Sequence, residues 1–205
     1  MQQFSLSANI EEGQDKDFKY IVTPNAQDVA SGIVNGYNSG IHSFTIIGSY
    51  GTGKSCFLLA LEKDLQSKGQ HNLINPQTLS SCKKYEVLKI VGDYKDLASL
   101  MRNKLAIDGT ADNVLDELRN RYNQAKKRGS FLIIFIDEFG KVLEHAAKND
   151  PEQELYFMQK LAEFVNVPTR QILLVTTLHQ NFSAYARKLS SVQKEEWNKV
   201  KGRFK

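Results

Sequence analysis

Eight consecutive residues have the composition and spacing of a phosphate-binding loop. Residues 48–55 read Gly-Ser-Tyr-Gly-Thr-Gly-Lys-Ser, which satisfies the pattern G-x-x-x-x-G-K-[ST]. The glycines let the backbone turn tightly, so that successive amide N–H groups converge on a phosphate at the positive end of the following helix. The lysine ammonium would then reach the β- and γ-phosphates, and the serine hydroxyl would bind Mg²⁺. The stretch therefore predicts a site for the phosphate tail of a nucleoside triphosphate.

The residues of this loop have different expected roles. Lys54 is the candidate catalytic cation, and Ser55 is a candidate metal ligand. Tyr50 and Thr52 occupy variable positions, and an exposed aromatic ring at Tyr50 needs no role. Cys56 lies just inside the predicted helix, as a small packed residue. The candidate nucleotide-binding set is Gly48, Ser49, Tyr50, Gly51, Thr52, Gly53, Lys54, Ser55 and Cys56.

A second group of candidate residues follows a continuous apolar run. Phe131–Ile136 is apolar throughout, and Asp137 and Glu138 come directly after it. Such a run is typical of a strand buried on both faces of a parallel sheet. At the end of this strand Asp137 would hold Mg²⁺, directly or through water, and Glu138 would take a proton from the water that attacks the γ-phosphate. The alternative for Glu138 is an N-cap or first-turn acid of the next helix.

The last apolar run of the chain also ends in polar residues. Thr176, Thr177 and His179 close the strand predicted at Gln171–Thr177. A polar side chain at this point can contact the γ-phosphate or the attacking water, and so report which nucleotide is bound. Thr177 and His179 lie on the same face of an extended chain, so the pattern does not separate them. The alternative for His179 is a loop or helix-cap histidine.

The elements that must position these residues alternate along the chain. Strands are predicted at Phe18–Val22, Ile41–Ile47, Tyr85–Val91, Phe131–Ile136 and Gln171–Thr177. Helices are predicted at 26–37, with Asn25 as its cap, and at 54–67, 94–107, 110–128, 138–147, 152–165, 182–189 and 191–200. Residues 68–84 form a long polar connector. The alternation predicts a three-layer α/β fold, in which helices flank a mainly parallel sheet.

Length and composition limit the class of protein. The 205 residues suit one domain, and 41% apolar and 24% charged residues are ordinary for a soluble globular protein. No apolar run is long enough to span a membrane, no secretory signal is present, and the two cysteines lack metal-site spacing. These features favour a cytoplasmic protein without a membrane partner. Residues 1–17 are predicted to form a loose polar arm, and residues 18–205 are predicted to form the folded core.

Positive charge is concentrated at the C-terminal end of the chain. The net charge is +4, and residues 187–205 hold seven basic and two acidic residues. A solvated helix face accounts for this excess, and an acidic partner such as nucleic acid is the sharper alternative. We therefore expect nucleic acid only as a possible, indirect partner.

The order of these motifs resembles that of the additional-strand P-loop ATPases, the AAA+ group and its signal-transducing relatives. In that family a phosphate loop is followed by an acidic pair on the third core strand and by a polar first sensor on the next strand. Residues 48–55, Asp137 with Glu138, and Thr177 or His179 match this order. The resemblance implies a P-loop core that binds and hydrolyses ATP with Mg²⁺ and works in a homo-oligomer or a larger complex.

The resemblance extends to the end of the chain. Lys201-Gly202-Arg203-Phe204 follows a predicted helix, and in the family an arginine in such a motif reaches the nucleotide of a neighbouring subunit. Arg203 is thus a candidate arginine finger. More narrowly, short segments resemble the N-terminal ATPase region of large bacterial anti-phage defence proteins, including the ATPase of the phage-exclusion (BREX) systems. These segments are Tyr50–Leu58, His179–Ala186 and Trp197–Phe204.

The sequence also departs from the family pattern. The family core normally continues into a fifth strand and a helical lid with a second sensor, whereas this chain stops at Lys205. The chain either lacks a lid or is the N-terminal part of a longer protein, and we expect slow turnover by the isolated chain. A phosphotransferase (kinase) and a sensor that binds nucleotide without hydrolysis stay open as alternatives. No guanine-selective motif follows a strand, so adenine is favoured, with residues 20–24 near the base by family position.

Overall fold

A single parallel sheet forms the centre of the protein. The computed structural model describes residues 8–12, 19–67 and 71–205. Its strands are β1 (Ser43–Ile47), β2 (Lys84–Val91), β3 (Ser130–Asp137) and β4 (Ile172–Leu178), in the spatial order β1-β4-β3-β2. Every residue of β3 and β4 is buried, because both strands are covered on both faces.

Helices cover both faces of this sheet. On one face α1, α2 and α3 pack against Phe131, Ile133 and Phe135 of β3, and on the other face α4 to α9 pack against Leu132, Ile134 and Ile136. The alternation of side chains along β3 thus divides the core into two apolar clusters. The three-layer α/β prediction is confirmed. The helices are α1 (Pro24–Asn38), α2 (Lys54–Ser67), α3 (Pro76–Leu79), α4 (Leu97–Leu105), α5 (Ala111–Lys127), α6 (Phe139–Lys148), α7 (Pro151–Val165), α8 (Phe182–Tyr185) and α9 (Ser191–Lys201).

The strand register brings the candidate residues to one edge of the sheet. Ile136 of β3 pairs with Thr176 of β4, and Ile47 of β1 pairs with Leu178 of β4. All three strands run in the same direction, so the loops that follow them leave the sheet side by side. Ligands bind at this carboxyl edge in open α/β sheets.

Several boundaries differ from the sequence prediction. Helix α1 begins at Pro24, because the Thr23 hydroxyl accepts an N–H of the first turn, and Asn25 is therefore not the cap. Helix α4 begins late, because the Asp96 carboxylate accepts the Ser99 N–H at 2.7 Å. The helix predicted at 182–189 is the single turn α8. Residues 19–22 form no strand, and residue 18 lies outside the described residues.

The described part of the N-terminal segment contacts the core. Ile10 is completely buried in the α1–α2 cluster, and Glu11 forms an ion pair with Lys104 at 2.9 Å. Residues 8–12 therefore pack against the domain, whereas a loose arm was predicted. The remainder of that predicted arm, residues 1–7 and 13–17, lies outside the described residues.

The last residue of the chain pairs with the edge strand. The Lys205 N–H donates to the Ser43 carbonyl at 3.1 Å, and the Thr45 N–H donates to the Lys205 carbonyl at 2.8 Å. This is the hydrogen-bond pattern of a parallel strand. Lys205 thus lies beside β1 at the edge of the sheet, on the side away from β4. Among the described residues, no helix is both long and apolar enough to cross a membrane.

The connector predicted at 68–84 is attached to the core by a buried carboxylate. Asp64 is completely buried near the end of α2. Its oxygens accept the backbone N–H groups of His71 at 2.5 Å, Leu73 at 2.6 Å and Ile74 at 3.1 Å. A carboxylate that accepts three amides compensates for its own loss of water. Asp64 therefore fixes the start of the connector before α3 begins.

We predict that Asp64→Ala lowers the free energy of unfolding by about 3 kcal/mol, because the buried Leu73 and Ile74 amides lose their acceptor. Urea denaturation followed by circular dichroism would measure the loss. The control is Asp116→Ala, which removes an exposed partner of Arg119 and should cost no more than about 1 kcal/mol. Equal stability of the two variants would contradict the role of Asp64.

Candidate functional site

The phosphate loop leaves the sheet directly from β1. The Gly48 N–H donates to the Leu178 carbonyl of β4 at 3.0 Å, so the loop begins as a continuation of the sheet. Gly51 and Gly53 have φ angles of 76° and 82°, in the left-handed region that favours glycine. The first turn of α2 follows at once, with the Phe57 N–H bonded to the Gly53 carbonyl at 2.8 Å. The loop therefore already has the turn that the sequence pattern requires.

The ammonium group of Lys54 folds back onto this loop. Its Nζ donates to the carbonyls of Gly48 at 2.6 Å and Ser49 at 2.8 Å. Burial lowers the pKa of Lys54, whereas the nearby carboxylates of Asp137 and Glu138 raise it. The lysine is therefore held at the centre of the loop by carbonyl acceptors, which a bound phosphate would have to replace.

Asp137 is tied to the neighbouring strand through Thr177. Both side chains are buried, and the Thr177 hydroxyl donates to Asp137 Oδ1 at 2.5 Å. The Glu138 N–H lies 3.0 Å from both Asp137 Oδ1 and Thr177 Oγ1. Among the described residues, every hydrogen bond to this carboxylate goes to Oδ1, which leaves Oδ2 for a ligand. Thr177 thus orients the carboxylate of Asp137. His179 makes no such bond among the described residues, whereas strand alternation alone placed both residues on the same face.

Glu138 lies at the mouth of the site, in an unusual backbone conformation. Its φ of 52° and ψ of 34° are left-handed, and its side chain makes no capping bond to α6 although it holds the N-cap position. The carboxylate instead forms an ion pair with Lys141, and hydrogen bonding to Glu138 raises the pKa of Lys141. Gly92 packs so closely on the Glu138 carbonyl that a Cβ there would collide with it. The bonds of the Glu138 N–H to Asp137 and Thr177 and the close packing of Gly92 therefore fix the backbone of Glu138.

His179 is enclosed by aromatic side chains. Its ring stacks on Tyr50 of the phosphate loop, with centroids 4.7 Å apart and an interplanar angle of 21°. Its Nδ1 lies 3.2 Å from the hydroxyl of Tyr185 in α8. The ring thus connects the loop after β1 with the helix after β4.

Arg203 lies apart from this group. Its guanidinium bonds to the Lys199 carbonyl at 2.7 Å and to Glu163 at 2.9 Å, and its carbonyl accepts the Ser43 hydroxyl at 2.6 Å. Ser43 begins β1, whereas the phosphate loop follows the other end of this strand. Arg203 therefore does not reach the cavity of its own chain, and its predicted role in a neighbouring subunit stays a prediction.

All but three of the other candidate residues line one cavity of about 380 Å³. Lys141, Leu178 and Ala8 line it and were not predicted. Lys141 follows Glu138 by three positions on a predicted helix, and this spacing was a usable signal, whereas nothing in the sequence indicated Ala8. Gly48, Ser49 and Thr52 support the loop without lining the cavity. The lining residues are Ala8, Tyr50, Gly51, Gly53, Lys54, Ser55, Cys56, Asp137, Glu138, Lys141, Thr177, Leu178 and His179.

The donors around this cavity suit a hydrated divalent cation. The Ser55 hydroxyl and the Asp137 carboxylate both face it, and Mg²⁺ in phosphate sites takes one or two such oxygen ligands and completes its shell with phosphate and water. A larger groove of about 660 Å³ lies between α1 and the connector. The described residues that line this groove carry no charge.

Comparisons with solved structures agree with this architecture. The chain is similar to the ORC2 protein of Aeropyrum pernix in its ADPNP–ADP complexes, with a TM-score of 0.54, 14% sequence identity and coverage of 89% of this chain and 48% of that one. For the ADP form of the same protein, the TM-score is 0.52 and the sequence identity is 16%, and the match covers 91% of this chain and 49% of that one. The chain thus spans about half the length of these proteins.

Comparison of the sequence with known proteins gives the family. No curated protein matches the chain. The model of the ATPase family associated with various cellular activities (AAA) matches residues 44–197, which include β1, the phosphate loop, Asp137 and His179. Since this match covers well over half of the chain, the protein belongs to the AAA family.

Proposed function

We propose that the protein binds Mg·ATP in the 380 Å³ cavity and hydrolyses it, as a switch or motor domain of a larger assembly. The observation that carries this proposal is the convergence of Lys54, Ser55, Asp137 and Glu138 on that cavity, from two segments far apart in the sequence. The match to the AAA family supports the same activity.

The phosphate loop and Lys54 would hold the triphosphate. The loop lies directly before the amino end of α2, which is the positive end of the helix and favours an anion. On binding, phosphate oxygens replace the Gly48 and Ser49 carbonyls as acceptors for the Lys54 ammonium. The lysine exchanges neutral acceptors for charged ones, which makes stronger hydrogen bonds.

Ser55 and Asp137 are the residues that would hold Mg²⁺, and Mg²⁺ neutralises phosphate charge in such sites. The Thr177 hydroxyl keeps Asp137 Oδ1 occupied, so Oδ2 is the oxygen directed to the ion or to its water. Thr177 therefore acts by fixing the orientation of the carboxylate.

Glu138 would take the proton of the attacking water. Its carboxylate is 43% exposed at the cavity mouth, within reach of solvent. The adjacent Lys141 forms an ion pair with this carboxylate. His179 would contact the γ-phosphate or the attacking water as the first sensor.

The assembly and the biological setting are the broader part of the proposal. Arg203 would act on the nucleotide of a neighbouring subunit. The ORC2 structures are of complexes with ADPNP and ADP, and an adenine nucleotide is the ligand that we propose here. The basic segment 187–205 would face an acidic partner such as nucleic acid. On the short segments that resemble them, we further propose kinship with cytoplasmic anti-phage defence ATPases of the BREX type.

We predict that Lys54→Ala weakens ATP binding by at least about 100-fold, because the ammonium contributes charged hydrogen bonds to two phosphates. Glu138→Gln should bind ATP normally and lose about 100-fold or more in turnover, because an amide cannot accept the proton. Isothermal titration calorimetry and phosphate release, each with ATP and GTP, measure the two effects. ATP should bind more tightly than GTP.

Lys63→Ala on α2 and the exposed Glu152→Gln on α7 are the matched controls, and both should behave as the wild type. The absence of binding heat for Mg·ATP and Mg·GTP would end the proposal. Tight binding without turnover by the wild type would favour the sensor function. Transfer of phosphate to an acceptor other than water would favour the kinase.

We also predict that Lys141→Met raises kcat by about two- to fivefold. The half-exposed ion pair with Lys141 stabilises the restrained position of Glu138 by up to about 1 kcal/mol, and the substitution removes this restraint on the proposed base. Steady-state phosphate release measures the change, and Lys148→Met on the same helix is the control. A lower kcat in Lys141→Met would mean that the pair orients the base instead of restraining it.

A further inference from the structure

The aromatic ring at position 50 has a partner that the motif pattern does not require. Tyr50 is 75% exposed to solvent, yet its ring lies parallel to His179 at a centroid distance of 4.7 Å. An exposed tyrosine without a role would be free to extend into water. Here it covers one face of the only imidazole that lines the nucleotide cavity within the described chain.

The Nδ1 edge of the same imidazole contacts Tyr185. The Tyr185 hydroxyl lies 3.2 Å from His179 Nδ1, and the two rings meet edge to face at 5.6 Å. Gly140 completes the enclosure, because a Cβ there would collide with the Tyr185 hydroxyl and lie 3.1 Å from His179 Cε1. The ring therefore has little freedom to rotate, and Nε2 is its one polar atom that remains for a ligand.

The chemistry of the two groups indicates which of them donates. Burial and then the nearby Glu144 raise the pKa of Tyr185 to about 12, so the phenol keeps its proton. Its hydroxyl lies at hydrogen-bond distance from His179 Nδ1, 3.2 Å away. We therefore assign the phenol O–H as the donor and Nδ1 as the acceptor. An accepting Nδ1 places the imidazole proton on Nε2.

We propose, on the basis of the function proposed above, that Tyr185 and Tyr50 are positioning residues that fix His179 as the Nε2–H tautomer and present this N–H to the outer phosphate of the bound nucleotide. Tyr185 sets the tautomer and the rotation of the ring through Nδ1. Tyr50 stacks on the ring face and couples it to the phosphate loop. Neither tyrosine needs to touch the nucleotide.

The tautomer is read directly by long-range ¹H–¹⁵N spectra of the histidine side chains. The chain has four histidines, and the His179 signals are those lost in His179→Gln. We expect a single Nε2–H tautomer in the wild type without nucleotide. Tyr185→Phe, which keeps the ring and removes only the hydroxyl, should show a mixture of tautomers. Addition of Mg·ATP should shift the Nε2 signal in the wild type.

Kinetics of the same variants provide the second measurement. Tyr185→Phe should lower kcat about tenfold, because the loss of one hydrogen bond changes a rate by about this factor. The dissociation constant for Mg·ATP should not change. Tyr50→Leu, at an exposed position that leaves folding intact, should lower kcat about threefold through loss of the stack. Tyr156→Phe on the exposed side of α7 is the control and should match the wild type.

A wild-type tautomer pattern and a wild-type kcat in Tyr185→Phe would overturn the proposal while leaving ATP hydrolysis intact. The fluorescence of the single, buried Trp197 reveals whether Tyr185→Phe folds. If it does not fold, Tyr50→Leu provides the test, and an unchanged kcat in that variant overturns the proposal. Failure of the wild type to bind any nucleotide would overturn both this proposal and the proposed function.

Discussion

One buried carboxylate determines the geometry at the end of the central strand. Asp137 is only 3% exposed, and an ionised carboxylate removed from water is costly unless hydrogen bonds satisfy it. Thr177 of the next strand and the N–H of Glu138 supply those bonds, at 2.5 and 3.0 Å. The same bonds join the ends of β3 and β4 and hold the left-handed turn at Glu138. The candidate metal ligand, the candidate base and the end of β4 therefore form one unit.

Among the described residues, two lysines line the cavity, and both are engaged by groups of the protein. Lys54 bonds to loop carbonyls, and Lys141 pairs with the proposed base. A triphosphate would therefore exchange acceptors, and its affinity would reflect only the difference between the old and the new bonds. The exchange is unequal, because Lys54 leaves neutral carbonyls whereas Lys141 leaves a charged partner. If the protein binds a nucleotide as proposed, Lys54 would gain more from it than Lys141, and Lys141 would couple the nucleotide to the proposed base.

Local patterns in the sequence predicted most of the fold and much of the candidate site. The bounds of α2 were predicted as observed, and the buried runs of β3 and β4 were placed within about a residue, because their apolar periodicity is unbroken. Helix starts were less certain, since Thr23 and Asn25 are both good caps and Pro24 decides between them. The partners of Tyr50 and Thr177 were not predictable, because they lie on segments that only the strand register brings together.

The position of Arg203 limits what it can do. Its carbonyl is bound to Ser43 and Asn166, so its backbone is fixed at the amino end of β1, about 13 Å of strand from the phosphate loop. A role for this arginine at a nucleotide therefore requires the cavity of another subunit. Its side chain is the part that can move, because the ion pair with Glu163 is about one-third exposed and such pairs contribute at most about 1 kcal/mol. To reach a γ-phosphate, the guanidinium would have to leave both the Lys199 carbonyl and Glu163 for a more strongly charged acceptor. We therefore propose that the fixed backbone and the partly exposed side chain of Arg203 suit a residue that acts across an interface.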